Sequence, residues 1–537
     1  MARLLPCCLV SFGLWALVTP STGAAVSLNT TDDFVSMALG MDEECQPGAP
    51  GGCALSALQL HGRRTRPQSQ GQSVAASEMS RGGNASLARE GPWLPTPPGV
   101  NLGGWLCLED WFFSGTSGRD VSTNDHRGQG RCFPPLVPSI RWSSEGLLTK
   151  QLVDHGGYKA TIKAFEAHRR TYIGEDDLRK MAALGIKTVR LPLTWAAFAD
   201  ALKPLSHEAY GRHDPERQMW VVPDPFYTRS TAWVTIPRVH LAEFARMCRR
   251  HGLRVLFDLH AFPGGSSDAT YSGVWPQRPA FWTEKARIGG GKVPLWMTGL
   301  WIAKALVQWV EHLDREALEG VAGVSLMNEP AHLAAKASRP WAYEFQIPKW
   351  LETSAHFFRG SRLPRMGKRL YIQVVPTAFK DFLAVVPGWY ARAFSPQERH
   401  SWAVIDVHWY AAWDAGRCDG RTSPGGGYHC GQPVDHVRGI MHGCVERFAG
   451  GFLSHFDGNK ACSEMSVGTY EHAQCACRDG GLLHAFLEEQ VKTMGHFGIE
   501  PFFWTWRMPF GQAFEPGWSL KHLAGMENPP PGSLCRA

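Results

Sequence analysis

From residue 93 onward, short apolar runs rich in β-branched and aromatic residues alternate with longer stretches whose apolar positions recur at helical spacing. The runs predict strands at 99–105, 187–193, 253–259, 321–327, 370–375, 403–408, about 461–464 and 501–506. The stretches between them predict helices over 175–184, 238–251, 301–318 and 482–498. Eight β units separated by helices is the count of an α/β (β/α)8 TIM barrel. The seventh run is the weakest, being short and preceded by Gly, Asp and Asn. Stretches 115–152, 265–296 and 412–460 interrupt the pattern after the first, third and sixth runs. In a barrel all three insertions fall on the C-terminal face, where active sites are built.

The pattern is absent before residue 93. Arg3, an apolar stretch over 4–18 and the small residues over 21–25 have the order of a secretory signal peptide, assigned to 1–25, with a retained signal anchor as the alternative. No later segment is long and apolar enough to span a bilayer. Within residues 26–96, Cys45 and Cys53 flank a Pro/Gly turn, and a polar stretch over 61–89 is rich in Gly, Ser, Arg and Gln. Residues 26–96 read as a disordered pro-segment or linker, leaving 97–537 as the catalytic barrel domain.

Composition narrows the class. Hydrophobic residues make up 44% of the 537 positions, enough for a large core, and the 22 tryptophans offer flat faces of the kind that cover pyranose rings. The net charge of +6 is mild and no basic stripe on a recognised module occurs, which excludes a nucleic-acid partner. Twelve cysteines remain outside the signal, and Asn29 and Asn84 head glycosylation sequons; both features fit disulfides and export to the extracellular space or cell wall. An endomembrane lumen stays open as the alternative address. A monomer is expected.

The candidate chemistry is carboxylate chemistry. Hydrolysing a glycosidic bond takes one carboxylic acid to protonate the leaving oxygen and a second carboxylate to attack the anomeric carbon or activate water. Val324-Ser325-Leu326-Met327-Asn328-Glu329-Pro330 puts Glu329 at a strand's C-terminal end, where a barrel places catalytic groups.

Asn-Glu-Pro at the fourth strand's end resembles the acid/base signature of glycoside hydrolase family 5, and further segments resemble its exo-β-1,3-glucanase branch. They are Gly99–Glu109 (GVNLGGWLCLE), Val189–Leu193 (VRLPL), Leu256–His260 (LFDLH) before Pro263-Gly264, Asp406–Tyr410 (DVHWY) and Phe503–Arg507 (FWTWR). The resemblance implies a retaining glucan exo-1,3-β-glucosidase with Glu329 as general acid/base and Glu464 as nucleophile, and no cofactor or metal. It implies that Arg190 keeps the nucleophile ionised, that Asn328 holds the sugar 2-hydroxyl and that Tyr410 orients the nucleophile. His260 and His408 are expected to hydrogen-bond the sugar or the carboxylates, and Trp506 to stack on the sugar while Trp504 lies deeper in the core. Glu109 is expected to grip outer hydroxyls of a terminal sugar. The branch reads Gly-Glu-Trp-Ser around the nucleophile where this chain has Ser463-Glu464-Met465-Ser466, so Glu471 and Asp457 stand as rivals. In the third-strand loop, Ala269 and Thr270 replace an aromatic-Asp pair, and Phe379 is the candidate for the other half of an entrance clamp.

Other classes are set against this. Cys462, His472, Cys475 and Cys477 cluster without a regular C-x2-C pair, so disulfides are preferred to zinc. Neither a G-x-S-x-G nucleophile elbow nor a Walker phosphate loop is present. A β-1,4-glucanase or mannanase of the same family, and an inactive β-glucan-binding wall protein, are the remaining alternatives; both glutamates are present, which argues against the inactive one.

Overall fold

The computed structural model describes residues 96–113, 142–267, 270–288, 291–330, 340–376, 382–413, 432–468, 480–508 and 516–527. The expected signal, linker and Phe379 lie outside these residues, as do the sequons, Ala269 and Glu471.

Eight parallel strands close into a barrel. In chain order they are β1 (Gly99–Asn101), β2 (Thr188–Thr194), β5 (Arg254–Ala261), β8 (Val321–Ser325), β9 (Arg369–Gln373), β10 (Ala403–Asp406), β11 (Asn459–Met465) and β12 (Ile499–Phe503). Two antiparallel hairpins, β3 (Val221–Pro223) with β4 (Ala232–Val234) and β6 (Lys285–Ile288) with β7 (Gly291–Pro294), complete the numbering. The barrel strands are buried on both faces, so β2 reads Thr-Val-Arg-Leu-Pro-Leu-Thr with every position buried. Leu256, Tyr371, Val404, Ala461 and Phe502, one from each of five strands, fill a layer of the interior.

The predicted helices form with shifted ends: Glu175–Leu184, Arg238–Arg250, Leu295–Glu311 followed by Arg315–Glu319, and Gly480–His496. The first starts where Asp177 accepts the Gly174 N–H, and stops at Gly185, whose φ of 93° reverses the chain as a C-cap requires.

Three features depart from the sequence pattern. The seventh strand, expected to be the weakest, runs seven residues. Partners on both sides, β10 and β12, supply the ladder that its polar start does not advertise. The first strand ends at Asn101, because the chain turns out of the sheet at Gly104 (φ 73°). A 27-residue helix, Glu145–Thr171, was hidden because Gly157 (φ 77°) breaks it internally and blurs its apolar stripe. That helix packs with Phe112, Phe113, Trp142, Val221, Val234, Trp504 and Trp518 in a second apolar cluster, beside one wall of the site. Among the described cysteines, Cys107, Cys248 and Cys462 are free and buried, so the expected disulfide at Cys462 is corrected; Cys444 is disulfide-bonded.

Candidate active site

Arg190, fully buried on β2, is the hub. Its Nη1 donates to Asn101 Oδ1 at 2.9 Å and to Glu464 Oε1 at 2.5 Å, and its Nη2 to Asn328 Oδ1 at 2.6 Å with Asp258 Oδ2 at 3.0 Å. Burial works against its charge, but Asp258, Glu464 and Asp406 outweigh burial and hold the guanidinium above its ordinary range. The planar fork explains why arginine rather than lysine serves here: four groups on three strands, β1, β5 and β11, and one loop are met in fixed directions.

Glu464 lies at the end of β11. Besides Arg190, it receives the Tyr410 hydroxyl on Oε2 at 2.6 Å, and His408 Nδ1 stands 3.3 Å from the same oxygen. Hydrogen bonds to the charged form of a carboxylate stabilise that form. Burial first, then Glu464, raises the Tyr410 phenol well above its usual range, so Tyr410 remains a donor.

Glu329 follows β8 on a backbone with φ of 37°, the one non-glycine positive φ among the described residues. Such a conformation costs about 1–3 kcal/mol and needs bracing. The Glu329 N–H donates to Gln373 Oε1 at 2.5 Å, which supplies it. The carboxylate faces His408, whose Nδ1 lies 2.8 Å from Oε1. Burial opposes a charge on His408, yet Glu464, Glu329 and Asp406 together raise it above its ordinary value. His260 is arranged differently. Asp258 Oδ2 lies 2.7 Å from its Nδ1, which places a proton on Nδ1, and Asn328 Nδ2 stands 3.5 Å from Nε2.

The structure therefore brings Glu329, Glu464, Arg190, Asn328, His260, His408 and Tyr410 into one buried network. Glu109 is buried beside it, with Thr270 Oγ1 3.4 Å from Oε2. Trp506 is not part of the network. Its side chain is fully buried and its indole donates to Asp177 Oδ1 at 2.8 Å, on the outer helix, where Lys521 also binds. The expectation that Trp506 faces a sugar is corrected; Trp504 lies in the apolar cluster, as expected, and from there also stacks on His260 at 5.6 Å with 7° between planes. The physical reason is that β12 ends at Phe503, so strand alternation does not extend to either tryptophan. The rival Asp457 pairs with Arg399 and His400 at 3.2 and 3.1 Å, apart from the network.

Sequence reasoning passed over Asn101, Asp258, Asp406, Ser463, Tyr271 and Gln373. Period two would have found two of them, since Asp258 and Asp406 each precede a candidate histidine by two positions on a strand. Tyr271 comes from the third-strand loop, edge-on to His260 at 5.4 Å and near enough to Glu329 that burial and this charge raise its phenol. Nothing in the local sequence marks it.

One atom each of Glu329, His408 and Glu464 lie within 4.8 Å of one another. Three ligands at that spacing could reach one ion, but their lone pairs already meet Arg190, Tyr410 and His408. The set fits hydrogen-bonded carboxylates, and we assign no ion to it.

Fold and site together define a (β/α)8 barrel with paired glutamates after its fourth strand and at the end of its seventh. No family model matches the chain. It is similar to the sporulation-specific glucan 1,3-β-glucosidase of Saccharomyces cerevisiae, 26% identical over 176 residues, 33% of this chain and 30% of that protein. The glucan 1,3-β-glucosidase of Kluyveromyces lactis is 24% identical over 255 residues, 46% of each chain. The chain thus spans less than half the length of these relatives. Among solved structures, rutinosidase from Aspergillus niger superposes with a TM-score of 0.51 at 15% identity, covering 80% of this chain and 96% of that one, which shows the shared barrel fold. The sequence likeness is thus to glucan 1,3-β-glucosidases over part of their length, and the structural likeness is to the barrel fold.

Proposed function

We propose that this chain is a retaining β-glucosidase of β-glucan, of the glucan exo-1,3-β type, acting by double displacement. The observation that carries the reading is the convergence of Arg190 and Tyr410 on Glu464, opposite a second glutamate. An oxygen of each lies within 4.8 Å of the other. Inverting enzymes separate their carboxyl groups by about 6.5–9.5 Å to admit water, and retaining enzymes by about 5–5.5 Å.

In this reading Glu464, held in place by Arg190 and Tyr410, attacks the anomeric carbon while Glu329 protonates the departing oxygen. The covalent glycosyl-enzyme is then hydrolysed by water that Glu329 deprotonates. Asn328 Nδ2, bound weakly to His260, is free to meet the sugar 2-hydroxyl. Trp504, rather than Trp506, lines the cleavage point, and Glu109 holds outer hydroxyls of the terminal sugar. The leader over 1–25 directs export to the extracellular space or wall. Among the described residues no helix is long and apolar enough to cross a membrane.

The test is incubation with laminarin, pustulan, carboxymethylcellulose and mannan, with the products identified by NMR during the first turnovers. Glucose released from laminarin, first as the β-anomer, is the expected outcome. Release from pustulan alone would move the linkage to 1,6, and the α-anomer appearing first would overturn the retaining mechanism. No release from any glucan would sink the reading.

A further inference from the structure

The mechanism above gives no task to Ser463, which stands where the resembled branch carries glycine. Its backbone N–H donates to Asp406 Oδ1 at 2.8 Å and its hydroxyl to Asp406 Oδ2 at 2.5 Å. Burial raises the Asp406 carboxyl, while His408, Arg190 and these two donors favour its charged form. With the hydroxyl proton committed to Asp406, Ser463 Oγ has lone pairs alone to offer His408 Nε2, 2.9 Å away. Nε2 must then bring the proton. On the other side of the ring, Nδ1 faces Glu329 Oε1 at 2.8 Å. With Nε2 protonated, that line carries one proton, as N–H against a carboxylate or as O–H against a bare nitrogen.

We propose that Ser463, braced by Asp406, is a positioning residue that fixes the proton on His408 Nε2 and thereby sets the acidity of Glu329 across the ring. The proposal rests on Glu329 being the acid/base. The groups that face His408 all enter the balance. Glu329 comes from the segment after β8, Glu464 from β11 and Asp406 from β10 itself. Arg190 of β2 stands behind Glu464 and Asp406, Tyr410 binds Glu464, and Tyr271 lies by Glu329. None of these replaces Ser463 as the acceptor for Nε2; the nearest, Asp406 Oδ2, is 3.9 Å away.

The experiment is the pH profile of kcat/KM on an unactivated β-glucoside for the wild type, Ser463→Ala and Ser463→Thr. Losing a hydrogen bond to a charged ring destabilises the protonated pair, so the basic limb of Ser463→Ala should move down by about one to two pH units. Ser463→Thr, which keeps the hydroxyl, should restore it. Ser463→Gly removes the hydroxyl without adding bulk and should repeat the shift if the alanine variant folds poorly. An equal loss of rate at every pH with the limb unmoved would overturn the proposal. Side-chain 15N NMR, with His408 assigned from its loss in His408→Gln, reads the same point without turnover. Nε2 should be protonated in the wild type near neutral pH and lose that preference in Ser463→Ala; an unprotonated Nε2 in the wild type would refute it. A wild type that cleaves no glucoside would sink the parent reading, and the NMR result would still decide the role of Ser463.

Discussion

Glu464, at the end of β11, and Glu145, in the first turn of the Glu145–Thr171 helix, are almost equally buried, 4% and 1% exposed. They are served in opposite ways. Glu464 meets a guanidinium, a phenol and an imidazole. Glu145 takes the Leu108 N–H at 2.7 Å, while the guanidinium of Arg169 is turned to the carbonyls of Val234 and Thr235. Burial therefore prevails at Glu145 and raises its carboxyl from 4.5 to about 7, against the weaker pull of Arg169 and Leu108. Burial by itself favours the neutral acid; converging donors favour the charged form of a buried carboxylate.

The comparison can be broken most sharply at Glu464. Glu464→Gln should lower kcat on an aryl β-glucoside by on the order of 10⁴-fold or more, as removal of a nucleophile does. Intact turnover, or mass-spectrometric labelling of another residue by a 2-fluoroglycoside, would undo the assignment. Glu329→Gln should cost about 10²–10⁴-fold on glucan, the range of general acid catalysis. The loss should shrink for glycosylation by a substrate whose leaving group needs no proton, as pre-steady-state bursts would reveal.

Glu145 sharpens the other side. Its folded-state value lies above the ordinary one, so the folded chain holds this proton more tightly than the unfolded chain. The resulting stability is full below about pH 4.5 and lost as pH rises to about 7. Chemical denaturation across that window should show a loss of about 3 kcal/mol, and Glu145→Gln should flatten it. The smallest effect concerns the tryptophans. Trp506→Phe should cost about 1–3 kcal/mol of stability, for the hydrogen bond lost at buried Asp177, and leave KM for glucan unmoved. A raised KM would return Trp506 to the sugar site.

Much of this molecule was legible in one dimension. Eight apolar runs with helical spacing between them were enough for the barrel, because hydrophobic period reports which face is buried. Asn328-Glu329-Pro330 marked a strand end for a local reason, the proline that cannot continue a ladder. The 27-residue helix and the hairpins β3/β4 and β6/β7 were not legible. Gly157 interrupts the first, and the hairpin strands are three or four residues long, too short for a period to register.

By itself the sequence determined the strand count, the candidacy of Glu329 and the charge of Arg190, since each depends on residue type and local spacing. Tertiary structure alone decided which groups meet. It set Arg190 between Glu464 and Asp258, put Trp504 rather than Trp506 against His260, and joined Asp406 to Glu329 through Ser463 and His408. Those contacts link residues far apart in the chain, and their energies depend on distances and directions that exist once the barrel has closed.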